Sequence, residues 1–522
     1  MATAPPLSTY AAQSDLRSRL RLALILAMLL AAVTGVSTAE LVFGNALAVA
    51  MLCAIAVVAI LWLAPWTGVV ALVIAATLIE QFSLVAEGTY SDGTDHIVLF
   101  QSLNAGAGLA GIYASPFEMF LALLLAVWLI KGFANRSLRL PVSAVGLSVA
   151  AFALVVALGW VRGATGGGSF QDSLLELRPW LYLTIAFLAS SQLITKPKHV
   201  TVLLGVLAVG IGVKAVQGVA TLLEHYDRRP QSILAHEEAF FFGLFLAILA
   251  ALWLIPMKGK LRTVMTLLFP FVLVADVANQ RRTAWAIAAA VLFAVFVVCF
   301  WGFPERRRVI AGFAVMGCVL AGVYWLLFSN SPGLAGQPAR AVLSQLLPSD
   351  RDLQSNQYRI VENVNLGIAI RQTVPFGTGF GHRIPEAVPN VDISDIDSFI
   401  SYLPHNGVLY VWLRLGLPGI VAFWMMVAIA LMTASNVFRR RQDHVSLMIS
   451  VTLMAALIAY VVQGFFDMGL YWFRIATLIG CLMGTLEATR RFDLKQVVSD
   501  GPTKAVRSGG QGVPASDLPS AA

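Results

Sequence analysis

Charge is what this sequence has least of. Only 12% of its 522 residues are Asp, Glu, Lys or Arg, against about a quarter in an ordinary soluble domain. With 58% hydrophobic residues, too little polar surface exists to keep so long a chain in water, which excludes a soluble multidomain protein. The net charge of +8 is scattered between apolar segments and makes no basic face. That excludes a nucleic-acid binder and matches the positive-inside pattern of an inner-membrane protein. Cysteine is scarce as well. Cys53, Cys299, Cys318 and Cys481 each fall inside an apolar run without metal-type spacing, so neither a disulfide nor a metal site is expected.

What abounds is long apolar runs. Stretches able to cross an apolar core of roughly 30 Å lie near 20–37, 41–63, 66–85, 115–130, 142–161, 180–194, 200–222, 237–256, 262–279, 284–302, 309–328, 408–433, 446–465 and 470–487. They amount to about fourteen spans. The first run follows Arg17, Arg19 and Arg21 and ends at Ser37-Thr38-Ala39, which resembles a signal peptide with a small-residue cleavage site. An uncleaved first helix is the reading adopted, because another span follows almost at once. Basic clusters at Lys131/Arg136/Arg139, Lys196/Lys198, Lys258/Lys260/Arg262, Arg306/Arg307/Arg308, Arg439/Arg440/Arg441 and Arg490/Arg491/Lys495 each come after an even number of spans, as a cytoplasmic N-terminus requires.

The expected fold is therefore an all-α integral membrane protein with both termini cytoplasmic. A cytoplasmic tail covers 1–19, transmembrane helices 1–11 cover 20–328, and a periplasmic loop covers 329–407. Helices 12–14 cover 408–487, and a Gly-, Ser-, Pro- and Ala-rich tail at 488–522 is expected to be disordered and cytoplasmic. Smaller outer loops lie at 86–114, 162–179 and 223–236. In the large loop, Ile360, Val364, Leu366 and Ile370 recur at helical spacing, which predicts an interfacial amphipathic helix over 353–372, ended by Pro375. Gly377-Thr378-Gly379-Phe380-Gly381 then reads as a tight, permissive turn. It lacks the Gly-Lys-Ser/Thr ending and the preceding strand of a nucleotide loop, so no nucleotide site is assigned. Asp392, Asp395 and Asp397 do not match a calcium loop and read as solvated surface.

The outer side carries arginines that positive-inside bias works against. Arg178 opens a span in Glu176-Leu177-Arg178-Pro179-Trp180, and Arg228 and Arg229 follow another. Arg281 and Arg282 lie in Ala278-Asn279-Gln280-Arg281-Arg282-Thr283, and Arg359 lies on the loop helix. Guanidinium pairs bidentately with phosphate and never loses its charge, so several arginines converging there would suit a pyrophosphate. The bland alternative is pairing with a local acid, such as Glu176 or Glu362, or with lipid headgroups. Lys214, near Gln217, reads as a neutral base or part of an ion path, or else as a snorkelling side chain. Asp467 and Arg474, seven residues apart, are expected to share a helix face as an ion pair.

His405-Asn406 stands at the mouth of the next apolar run, where an ionisable group is costly unless it acts. Residue 416 lies eleven positions on, close to three helical turns, which puts His405 and Gly416 on one face and Arg414 roughly opposite. Pro418 would interrupt the ladder near Arg414. Imidazole exchanges protons near neutral pH, so His405 is placed to accept one from a sugar hydroxyl attacking an activated anomeric carbon.

His405-Asn406 followed by Gly416-Leu417-Pro418-Gly419 resembles the histidine motif of bacterial O-antigen ligases and the related O-antigen and exopolysaccharide polymerases. Tyr358-Arg359 and Pro375-Phe376-Gly377-Thr378-Gly379-Phe380-Gly381 precede it in similar order. Arg281-Arg282-Thr283-Ala284-Trp285 is similar to the family's Ser-Arg-Gly-type element, with Arg282 at the arginine and Arg281 replacing the serine. Arg178 matches an arginine opening an earlier span. The resemblance is specific over about 270–420. It implies a glycosyltransferase of the bacterial inner membrane, facing the periplasm, with a donor glycan on undecaprenyl pyrophosphate and a glycan or lipid A core as acceptor. It implies no metal or nucleotide cofactor. Arg178, Arg281, Arg282 and Arg359 would hold the pyrophosphate, and His405 would activate or orient the acceptor. Asn406 would orient the acceptor or cap the helix start; Lys214 and Arg228 are further candidates. The span total exceeds that usual in the ligases, which favours a polymerase. A protein-glycosylating relative would differ only in its acceptor. The competing class is a transporter or flippase for lipid-linked glycan using Lys214, Asp276 and Arg474, but the halves show no internal repeat.

Overall fold

A computed structural model describes residues 46–499 apart from 82–88, 92, 95–96, 108–110, 112, 137, 139–140, 229, 256–258, 345–349, 392–400 and 441–442. The expected first span with its arginines, Arg229, the acidic run at Asp392, Asp395 and Asp397, the side chain of Cys53 and the tail beyond 499 lie outside the described residues. The apolar runs fold as α1 (Ala46–Leu63), α2 (Trp66–Leu78), a short α3 (Leu103–Ala107), α4 (Pro116–Ala134), α5 (Ala144–Thr165) and α6 (Phe170–Leu193). The series continues with α7 (Pro197–Glu224), α8 (Glu238–Leu254), α9 (Lys260–Ala278), α10 (Arg282–Gly302) and α11 (Arg307–Phe328). After a short α12 (Gln337–Leu343) come α13 (Asp350–Thr373), α14 (Gly407–Arg440), α15 (His444–Phe466) and α16 (Phe473–Ser499). Among the described residues, regular structure outside the helices is one isolated bridge between Thr89 and Ser232.

Eight of the described helices are both long and apolar enough to cross a membrane, so the chain has the build of a multi-pass membrane protein. That is fewer than the runs counted in the sequence. The reasons are local. The run at 20–37 lies outside the described residues, Ala54–Leu63, Trp66–Leu78 and Glu238–Leu254 are shorter, and α6 and α16 carry several charges each, including Glu176 and Arg474.

Burial identifies the centre. α16 is covered on nearly every side from Phe473 to Ala488 and packs on α6 and α2. Gly480 and Gly484 face the α6 carbonyls of Leu183 and Phe187, where any side chain would hold the helices apart. α15 packs on α8, α10 and α14. α11 is the outlier: Ile310 is its only buried residue, while Phe313, Leu320 and Leu326 project outward, as suits a helix set in hydrocarbon. Cys299 and Cys481 are buried, and Cys318 is exposed on α11.

The helix expected over 353–372 is α13, packed on α14 through Leu366, Ala369, Ile370 and Leu413. α14 turns sharply at Gly416 (φ +65°), two residues before Pro418. His405 lies ahead of the first residue of α14, so the expected shared helical face of His405 and Gly416 does not form. The turn has a structural use. Pro418 leaves the Arg414 carbonyl without its helical donor, and the Gly379 N–H fills that place at 2.9 Å. Thr378 N donates to Leu413 O (2.8 Å) and Leu417 N to Pro375 O (2.7 Å), so segment 375–381 is sewn into the bend.

Candidate functional site

Glu362 organises the site. Its Oε2 accepts the His405 backbone N–H at 3.0 Å, and its Oε1 lies 3.3 Å from His405 Nδ1. Glu362 is buried, while the His405 side chain keeps 20% exposure. The ring turns Nδ1 to this carboxylate, an arrangement that favours the tautomer with hydrogen on Nδ1 and the lone pair on Nε2. Tyr358, one turn earlier on α13, sets its ring edge-on against the imidazole with centroids 5.6 Å apart. Residues 358, 359 and 362 share one face of α13, so one helix presents Tyr358, Arg359 and Glu362 together.

Two further arginines reach the same region from α10. The α9–α10 turn is tight: Gln280 adopts φ +52°, and Arg281 caps the next helix in extended conformation. Arg281 donates to Ser232 Oγ at 3.0 Å, and Arg282 donates to Asn356 Oδ1 of α13 at 3.3 Å. Asp467, at the end of α15, lies 3.4 Å from His236 Nδ1. Burial would push the Asp467 carboxyl up, but the His236 hydrogen bond and charge, with Arg359 and His405 nearby, outweigh it and hold the group well below the usual carboxylate range. His405, Arg281, Arg282 and Arg359 therefore share one end of the bundle with Tyr358, Glu362, His236 and Asp467. Among the described residues no group of three or more His, Cys, Asp or Glu side chains is arranged to hold a metal ion.

Other expected residues keep different company. Arg178 pairs with Glu118 (2.8 Å) and donates to Tyr113 O (2.9 Å). Glu118 also closes the capping box of α4 with Ser115, so Arg178 braces that helix start. Arg228 is exposed on a 3-10 turn after α7. Lys214 neither snorkels nor stands alone: it is fully buried, 3.2 Å from Glu80. Asn406 accepts the Leu409 N–H at 3.0 Å, which is helix-capping geometry. Asp467 and Arg474 do not pair. The 3-10 turn Gly469–Tyr471 breaks the helix between them, and Arg474 instead binds Glu237 (3.0 Å) and Glu238 (2.6 Å).

Arg414 has a role beyond its place opposite His405 in the expected helix. It is wholly buried and donates to Glu176 Oε1 (2.6 Å), His382 O (2.5 Å), Tyr402 O (3.0 Å) and Thr378 Oγ1 (3.2 Å). A lone arginine inside an apolar run asks for a buried acid, and that was the available signal. The glycine turn belongs to the same clamp. Gly377, Gly379 and Gly381 all have positive φ. The five N–H groups of 377–381 donate to Thr373 O, Leu413 O, Arg414 O, Gly159 O and Glu176 Oε2. With those donors committed, the turn is a structural buckle and has no amides to offer a phosphate.

Comparison with curated proteins finds no match. Residues 265–424, which hold Arg281, Arg282, Arg359, Glu362 and His405, match the O-antigen ligase family model, and through this segment the chain resembles the O-antigen ligase and polymerase superfamily.

Proposed function

We propose that the protein is a membrane glycosyltransferase that takes glycan from undecaprenyl pyrophosphate at the periplasmic face of the bacterial inner membrane. It polymerises exopolysaccharide or O-antigen repeat units, or ligates them to an acceptor such as lipid A core. The observation that carries this reading is the His405–Glu362 pair beside Arg281, Arg282 and Arg359. Glu362 fixes the tautomer that leaves His405 Nε2 free to take the proton of an attacking hydroxyl. The arginines lie where charge would develop on a departing pyrophosphate, and a fixed guanidinium stabilises that charge without reorganisation. The family match over the same residues supports ligase- or polymerase-type chemistry. On this reading the chain has about fourteen spans with both termini cytoplasmic, and α13 lies in a periplasmic loop.

The test is transfer by the purified protein in vesicles, supplied with purified lipid-linked glycan. Release of undecaprenyl pyrophosphate with glycan lengthening on the carrier marks a polymerase, and transfer to lipid A core marks a ligase. Arg282→Ala is expected to raise the donor KM and lower turnover. Wild-type kinetics in that variant would remove the arginines from the account.

A further inference from the structure

We propose that His236, held by Asp467 beside Arg281, is a second catalytic residue of this site and delivers a proton to the departing pyrophosphate. The inference rests on the glycosyltransferase reading above. Two histidine–carboxylate pairs stand at one end of the bundle, His405–Glu362 at 3.3 Å and His236–Asp467 at 3.4 Å. Each imidazole turns Nδ1 to its carboxylate, which leaves Nε2 as the nitrogen able to meet substrate. The His236 side chain is 37% exposed, although Glu237 and Glu238 beside it are buried.

The backbone around His236 is fixed from both sides. Ala235 N donates to Glu80 Oε1 (3.2 Å), and Ala235 O accepts from Asn279 Nδ2 (3.2 Å). Glu237 is bound to Arg474 at 3.0 Å. Buried polar groups thus grip the residues on either side and leave the histidine between them partly exposed and paired with Asp467. Such a grip gives a reacting group its preorganised position.

The charges facing His236 are Asp467 from the end of α15, Arg281 from the start of α10 and Glu237 from its own segment. Arg359 of α13 and His405 act on it through Asp467. Desolvation by the buried groups around it and the Arg281 charge outweigh the pull of Asp467 and hold His236 below its ordinary pKa. A pyrophosphate on Arg281 would offset that charge and bring negative charge of its own beside Asp467, which favours the imidazolium.

In the transfer step the acceptor hydroxyl oxygen bonds to the anomeric carbon, and its proton goes to His405 Nε2. The bond from that carbon to the pyrophosphate oxygen breaks, and its electron pair leaves with the oxygen. The proton on His236 Nε2 passes to that oxygen. Proton exchange with water returns both imidazoles to their starting forms, and no further reactant is consumed.

The test is the pH dependence of kcat for the full-length protein in vesicles with lipid-linked glycan. Wild type should lose activity on the alkaline side as His236 deprotonates. His236→Gln should lower kcat by about 100-fold or more, abolish the alkaline limb and leave the donor KM nearly unchanged. Asp467→Asn, which preserves shape but removes the charge, should move the limb to lower pH. A purely structural role would change melting temperature or KM without touching the limb. A wild-type limb in both variants, with His405→Ala inactive, overturns the assignment of His236 and leaves the glycosyltransferase reading standing. Full turnover by His405→Ala would instead defeat that reading itself.

Discussion

At the scale of the residue, Glu362 decides what His405 is able to do. It binds both the backbone and the ring of the histidine, so it sets position and tautomer together. Glu362→Gln keeps an oxygen for the backbone N–H but turns an amide N–H₂ towards Nδ1, favouring the tautomer with its proton on Nε2. Turnover is expected to fall about 100-fold, with donor KM and melting temperature close to wild type. Steady-state kinetics beside thermal melting checks this, and an unchanged kcat would mean the pair is only structural. His405, Arg281 and Arg282 stood out as charged or ionisable groups beside apolar runs, and Arg359 as a basic residue on an outer loop, against positive-inside bias. Glu362 was named only as a local partner for an arginine, since an acid on a polar helix is ordinary. His236 and Asp467 come from segments far apart in the chain, and no local pattern pairs them.

At the scale of the element, the clamp around the bend of α14 holds the site-bearing helices in register. Arg414 ties α14 to α6 through Glu176 and to the loop through His382 and Tyr402. Arg414→Met alone would strand a buried carboxylate and cost about 3–5 kcal/mol. Replacing both partners, with Arg414→Met and Glu176→Leu, should recover much of that loss, as melting of the single and double variants would show. Equal losses in the single and double variants would mean that the neighbouring carbonyls, not the ion pair, carry the effect. The loop helix and the glycine turn were readable because apolar spacing and glycine are local signals. The place of the bend was not. Pro418 pointed to it, but the turn sits at Gly416, where the incoming 375–381 segment supplies the missing hydrogen bonds. Asp467 and Arg474 illustrate the same limit, because the 3-10 turn between them cancels the helical spacing on which the expected pair depended.

At the scale of the whole molecule, composition alone made a polytopic helical membrane protein legible, and the apolar helices agree with it. The count of spans is not fixed by the helices, because some apolar helices, such as α8 (Glu238–Leu254), are shorter than the eight long candidates among the described residues. On the proposed topology, which rests on the basic clusters, His405 faces the periplasm. In a variant whose four native cysteines are replaced, His405→Cys is expected to react with an impermeant thiol reagent added from the periplasm. Labelling only from the cytoplasm would invert the topology. The most direct measurement of the central claim is the rate of glycan transfer by purified His405→Ala in vesicles with saturating lipid-linked donor. The account predicts a rate at least about 100-fold below wild type with the fold intact; transfer at the wild-type rate would contradict it.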